Sequence, residues 1–326
     1  MITRLLYIHA DGTDPWKNLA FEEWLLGQVQ PGEAILYLWQ NQKTVVIGRN
    51  QNAWQECRTA ALEADGGKLA RRLTGGGAVF HDLGNLNFTF LTQREDYDLQ
   101  RQLQVILRAV ESFGAPVCAS GRNDLTAADG RKFSGNAYHL TQKGCCHHGT
   151  LMVSVDREQL GAYLNVAPDK LAAKGVPSVR SRVVNLRELS PQVTVPLLRE
   201  RLWEMFGAVY GGVPQLFVPA AGSLDELRRL EEKYASYAWR FGESQPFSIS
   251  FSRRFPWGGV EIQLAVAGGM VSSCRIYSDA MDAQLIEDAA GKLCGRQCSS
   301  AALSEALAGD SPVYADIRSL ILEQEL

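Results

Sequence analysis

Apolar residues along this chain change their period several times, and each change marks an element. Asp14-Pro15 can serve as N-cap and first helical residue; Leu19, Ala20, Glu23, Trp24 and Val29 then fall in an amphipathic helix up to Pro31. Ala34 to Trp39 and Thr44 to Ile47 are rich in β-branched and aromatic residues, which predicts two strands with Asn41-Gln42-Lys43 as the hairpin turn between them. Leu86, Phe88 and Phe90 alternate with Asn87 and Thr89, the period of a half-buried strand. Leu99, Leu103, Ile106, Leu107 and Val110 keep helical spacing as far as Gly114, a suitable C′ residue. Phe133 to Leu140 and Thr150 to Val155 read as strands again. Hairpins and isolated helices without a regular βαβ rhythm predict an α+β domain with a mostly antiparallel sheet.

The pattern shifts near residue 245. Ser223-Leu224-Asp225-Glu226 is a capping-box pattern opening a charged helix that runs to about Trp239. Gly242 to Pro246 reads as a linker. Beyond it, strands over Phe247 to Phe251, Val260 to Val266 and Met270 to Ile276 precede helices over Asp282 to Cys294 and Ser299 to Leu307. The expected division is therefore 1–245 for a large domain and 246–326 for a small C-terminal α+β domain.

Composition narrows the class without naming it. With 326 residues, 46% apolar and 21% charged, the chain has room for two ordinary globular domains. A net charge of -3 argues against general nucleic-acid binding. Neither a signal-type apolar stretch nor a membrane-length apolar run is present, so the expectation is a cytoplasmic protein with no membrane partner. Seven cysteines, an odd number, point to reduced thiols rather than a disulfide framework.

The chemistry concentrates in Arg71-Arg72-Leu73-Thr74-Gly75-Gly76-Gly77-Ala78-Val79-Phe80-His81-Asp82. Consecutive glycines can turn several N–H groups toward one anionic point, and the arginines add charge; a tight turn is the plain alternative. The pattern is neither a Walker A loop nor a dinucleotide fingerprint. Further on, Cys145-Cys146-His147-His148 invites a zinc reading, although adjacent side chains do not readily converge on one tetrahedral ion. The two histidines are expected to pack behind Lys132 and orient its strand, and Cys294 and Cys298 to lie on a helix's core face.

Three later phrases decide the comparison: Gly121-Arg122-Asn123-Asp124-Leu125, Arg131-Lys132-Phe133-Ser134-Gly135-Asn136-Ala137, and His147-His148-Gly149-Thr150-Leu151. In this order behind the glycine loop, and with Val46-Ile47-Gly48-Arg49, Lys174 to Arg182 and Trp257-Gly258-Gly259-Val260-Glu261, they resemble the lipoate-protein ligase A family over most of the chain. The resemblance implies a catalytic domain of biotin/lipoate-ligase type with a C-terminal accessory domain. It implies ATP-dependent conversion of free lipoate to lipoyl-AMP, then transfer to a lysine of a lipoyl domain. Lys132 corresponds to the lysine that contacts acid and nucleotide, Arg72 and Gly77, Ala78, Val79 and Phe80 to nucleotide contacts, and Ala137 to a position beside the acyl carboxyl.

Further candidates are Gly75, Gly76, Arg71, His81, Asp124, His148, Lys174, Ser178 and Arg182. His81 and Asp82 either take part in catalysis or fix the loop; Asp124 either helps hold Mg²⁺ with ATP or anchors Arg122. Between Asn165 and Arg187 five cations (Lys170, Lys174, Arg180, Arg182, Arg187) face one anion, Asp169. By resemblance this is the loop that closes over the adenylate, with a solvated basic loop as the alternative. Val46 and Phe88 are expected to line an acyl tunnel. The implied partners are lipoyl domains of 2-oxoacid dehydrogenase acyltransferases and the glycine-cleavage H protein, with octanoate as a competing acid. A rival is an ATP-independent octanoyl or lipoyl transferase using Cys145 as thioester nucleophile. A biotin ligase is disfavoured by the plain glycine triplet, and a non-catalytic sensor by retention of Lys132 with Arg72.

Overall fold

The computed structural model describes residues 2–121, 123–142, 144–165, 183–219, 224–242, 249–324 and 326. Its centre is an eight-stranded sheet whose spatial order is Gln215–Leu216, Arg4–His9, Glu33–Trp39, Asn85–Gln93, Gly144–Met152, Lys132–Leu140, Asp124–Ala127 and Val117–Ser120. Only Arg4–His9 pairs in parallel, with its neighbours on both sides; the other adjacent strands run antiparallel.

Helices Leu99–Glu111 and Val195–Tyr210 cover one face of this sheet, where Leu103, Ile106, Leu198 and Phe206 pack on Leu36, Leu38, Phe88 and Phe90. On the other face lies helix Pro15–Gln28, capped as expected by Asp14 accepting from the Trp16 N–H. Beside it sits a second, three-stranded sheet of Lys68–Arg71, Thr44–Ile47 and Val79–His81. A buried strand shows its residues to both layers, and Asn85–Gln93 does so. Phe88 and Phe90 join the helical core, while Asn87 and Thr89 face the second layer, buried rather than solvated.

The hairpin expected around Asn41-Gln42-Lys43 does not form. Glu33–Trp39 pairs with Asn85–Gln93 in the large sheet, whereas Thr44–Ile47 crosses to the small one. Lys43 takes the left-handed conformation, φ 41°, where the chain changes layers. The strand expected at Thr150 begins six residues earlier, at Gly144. The charged helix ends at Ala235, and a separate helix, Tyr237–Phe241, follows with Ser236 as its N-cap. Its capping-box Ser223 and most of the expected linker lie outside the described residues.

The small C-terminal domain is an antiparallel meander of Ile249–Phe255, Gly258–Ala267 and Met270–Ser278. Alternation of buried and half-buried positions from Gly258 to Ala265 fits a sheet covered on one face only. Helices Ala283–Leu293, Ser300–Ala306 and Pro312–Leu322 cover that face around Ile262, Ile286, Leu303 and Ile317. Cys294 is exposed rather than in the core, because the helix stops one residue before it. Among the described residues no helix is long and apolar enough to cross a membrane.

Candidate active site

The glycine triplet spans the gap between strands Lys68–Arg71 and Val79–His81, and contacts on both sides require residues without Cβ. Gly76 adopts φ +85°, and a Cβ on Gly75 would lie 2.2 Å from the Ala280 carbonyl oxygen of the C-terminal domain. The Gly76 N–H donates to that same oxygen at 3.0 Å.

The two arginines behind the loop do different work. Arg72 is buried beneath it: Nη2 donates to Gly75 O (2.6 Å) and Gly77 O (2.8 Å), Nη1 to Val46 O, and Nε to Thr74 Oγ1. Burial lowers its pKa to about 10, with Glu22 opposing, so the guanidinium stays charged at neutral pH under the loop it shapes. Arg71 does not line the cavity. Its guanidinium points away from the cavity and donates to the carbonyls of Gly48, Arg49, Gln51, Trp239 and Arg240. A strand sends successive side chains to opposite faces, so two adjacent arginines cannot both serve one pocket.

Lys132 opens strand Lys132–Leu140 beside an irregular register with Asp124–Ala127. Its Nζ lies 2.7 Å from Asp124 Oδ1, and the stem crosses Gly135, where a Cβ would sit 2.9 Å from Nζ. Asp124 therefore orients the lysine; Arg122 lies outside the described residues.

Lys132 stands at the rim of a cavity of about 150 Å³ enclosed between the two sheets. Its floor follows the strand register. Gly135 donates its N–H to Thr150 Oγ1, Thr150 pairs with Asn87, and Asn87 pairs with Trp39. Three strand spacings separate Gly135 from Trp39, roughly 14 Å. Leu19, Val46 and Val79 supply apolar wall, Ala137 and His148 line the floor one step along, and Arg72, Gly76, Gly77 and Ala78 close one side. Val46 is thus a lining residue as expected; Phe88 belongs to the opposite face of the sheet. Phe80 is also off the cavity, packed on Tyr163.

Behind the wall runs a buried polar chain. Glu22 accepts from Thr89 Oγ1 (2.6 Å) and meets His148 Nδ1 at 2.8 Å; His148 Nε2 meets Thr74 Oγ1 at 2.8 Å, which accepts from Arg72. Glu22 and Cys146 approach His148 closely enough to suggest a metal triad, but both ring nitrogens of His148 are taken by Glu22 and Thr74. Of the Cys145-Cys146-His147-His148 run, only Cys146 and His148 share this face. His147 faces the helical side, near the Gln102 amide, and its Nε2 holds Asn136 Oδ1 at 2.9 Å. It thus braces the strand of Lys132 from behind, as expected, whereas His148 is part of the cavity wall.

Burial holds His81 and His147 neutral, lowering each pKa from 6.5 to about 3, with His148 adding to both and Arg72 to His81. Below pH 6.5 the unfolded chain therefore takes up protons that the fold refuses, so these histidines cost stability as pH falls toward 3. Each contributes roughly 1 kcal/mol per pH unit in that window. The urea midpoint is expected to be clearly lower at pH 5 than at pH 7; equal midpoints would contradict the burial of both rings.

Glu22, Trp39 and Asn87 belong to the site but carried no motif, and Thr74 and Thr150 sit inside quoted motifs without being singled out. Glu22 alone left a signal, a carboxylate on the apolar face of helix Pro15–Gln28 between Leu19 and Leu25. Lys174, Ser178 and Arg182, with Lys170 and Arg180, lie outside the described residues.

A lysine and a glycine loop thus flank a cavity with Leu19, Val46 and Val79 in its wall. The chain belongs to the lipoyl protein ligase A/B catalytic domain family, whose pattern spans residues 14–207, and the bacterial lipoate protein ligase C-terminus spans residues 244–324. Among solved structures it is similar to P. falciparum LipL1 in complex with lipoate, at 27% identity and TM-score 0.85 over 98% of this chain and 99% of that one. It is also similar to a bipartite lipoate protein ligase, described with its E2 lipoyl domain, from Thermoplasma acidophilum (27%, TM-score 0.66, 76% of this chain and 100% of that one). A lipoate-protein ligase A bound with ATP matches at 26% and TM-score 0.64, over 74% of this chain and 99% of that one.

Proposed function

We propose that this protein activates free lipoate with ATP and transfers the lipoyl group to a lysine of lipoyl domains. The observation that carries the reading is Lys132, held by Asp124 at the mouth of a cavity whose floor crosses three strand spacings, roughly 14 Å, from Gly135 to Trp39. An extended eight-carbon acid spans about 9 Å, at roughly 1.2 Å per bond, so its carboxylate reaches the lysine while its tail fills the cavity.

In the first step a lipoate carboxylate oxygen attacks the α-phosphorus of ATP; a P–O bond forms and the bond to pyrophosphate breaks. Lys132 stabilises the negative charge gathered between the two anions, and Arg72 and the glycine loop shape the nucleotide side. In the second step the acceptor amine attacks the acyl carbon, forming the amide, releasing AMP and losing a proton. Mg²⁺ would arrive with ATP, and the Asp124 carboxylate with phosphate oxygens is a donor set that suits it. It would neutralise phosphate charge. Lys174, Ser178 and Arg182 are assigned to a loop covering the adenylate, and residues 1–245 and 246–326 to the catalytic and accessory domains. Seven free thiols fit a reducing cytoplasm.

The transferase reading fares worse. Cys145 alternates with Cys146 to the face away from the cavity, is 1% exposed, and has its pKa raised by burial, which suppresses the nucleophilic thiolate.

Intact mass of an unmodified lipoyl domain, incubated with the protein and lipoate with and without Mg-ATP, tests the proposal. A lipoyl mass gain that needs ATP is the expected result. Acylation only from octanoyl carrier protein, abolished by Cys145→Ser, would reverse the choice.

A further inference from the structure

His81 is 3% exposed, lines the cavity, and has one ring nitrogen whose role the fold fixes. Asn18 Nδ2 donates to the carbonyls of Gly12 and Gln40, which sets the orientation of that amide. The same nitrogen donates to Asn41 Oδ1, so Asn41 turns its Nδ2 toward His81 Nδ1, at 3.2 Å. Asn87 does likewise from the other side: its Oδ1 accepts from Asn85, and its Nδ2 faces His81 Nδ1 at 3.5 Å. Two donors converge on Nδ1, so Nδ1 is an acceptor and the proton of the neutral ring sits on Nε2. Among the described residues no group accepts from that buried Nε2–H.

A buried donor without an acceptor is costly, and the cost is relieved by a ligand that supplies one. His81 lies beside Asn87 and edge-on to Trp39, the end of the floor remote from Lys132. A carboxylate seated at Lys132 therefore presents to His81 only what its acid carries at the far end. A plain alkyl tail offers no acceptor there. A sulfur does, weakly.

We propose that His81 is a specificity residue of the acyl cavity, donating its Nε2–H to a dithiolane sulfur and so favouring lipoate over octanoate. The inference rests on the ligase reading above and deepens it. It predicts that His81→Phe, which keeps a flat ring but removes the donor, lowers the lipoate-to-octanoate ratio of kcat/KM roughly threefold to tenfold. The loss falls more heavily on lipoate than on octanoate. Equal losses for both acids would assign His81 to packing alone and overturn the proposal. If the unaltered protein accepts neither acid, the ligase reading fails and the specificity role falls with it, a result distinct from a ratio that His81→Phe leaves unmoved.

Imidazole ¹⁵N spectra of the unaltered protein, which has five histidines, decide the matter even if the variant does not fold. The expected spectrum shows His81 as the Nε2–H tautomer, with that proton shifted by lipoate and not by octanoate. An Nδ1–H tautomer, or the same shift with both acids, would overturn it.

Discussion

Lys132→Ala is expected to abolish lipoate-dependent pyrophosphate release, lowering it by at least about 10²- to 10³-fold, the scale of losing one preorganised charge at a developing anion. The lysine is held by the Asp124 carboxylate 2.7 Å away and is half-exposed at the cavity rim, so its removal opens no core void. A half-exposed ion pair contributes at most about 1 kcal/mol, and the thermal midpoint is expected to move little. Loss of release with an intact fold is therefore the signature of a group acting on the reaction. Normal release from the variant would remove the mechanistic centre of the proposed function. Lys132→Arg provides a graded comparison, because the planar fork carries the charge but cannot lie over Gly135 in the same way.

Arg71→Met is expected to show the reverse pattern. The guanidinium donates to five backbone carbonyls at 2.7–3.1 Å, three before the glycine loop and two at the end of helix Tyr237–Phe241. Methionine fills similar space and leaves those oxygens without their donors. Each buried orphan costs about 1–3 kcal/mol before relaxation, so a loss of roughly 3–5 kcal/mol is the expected outcome, read as a lower urea midpoint. Burial already presses on this cation, lowering its pKa to about 10. An unchanged midpoint would mean that the carbonyl clamp does not contribute to the fold.

That Arg71 and Arg72 read alike in sequence and behave oppositely illustrates where the one-dimensional pattern stopped. Arg72, the glycines and Lys132 were singled out because they sit in quoted motifs, and the fold brings them to one cavity. The far end of the cavity was not. Trp39, Asn87 and Glu22 come from three separate elements, and a buried Asn or Glu looks in sequence like a solvated one. The misread hairpin at Asn41-Gln42-Lys43 has a similar origin: a short polar turn between two β-rich segments is the same whether the next strand pairs with the last or leaves for another layer. Cys145-Cys146-His147-His148 carried no strand signal, so the strand's start was missed. The α+β class and the mostly antiparallel sheet followed from the succession of strand and helix periods, and the small C-terminal sheet from alternation, because one-faced burial writes itself into period two.

Among the described residues the junction between the large sheet and the C-terminal domain rests on scattered polar contacts: Arg49 bridges Glu287, Gln55 reaches Glu261, Asn50 reaches Ala283 O, Asn123 approaches Met281, Ser278 N–H meets Asn50 O, and Gly76 N–H meets Ala280 O. Two free proteins would scarcely associate through so few bonds, since stable complexes generally bury well over about 1,000 Å². Here the partners share one polypeptide, and a short connection supplies an effective concentration on the order of millimolar. Covalent continuity thus does what affinity would otherwise have to do. It lets this junction be built from few polar contacts without either half being lost.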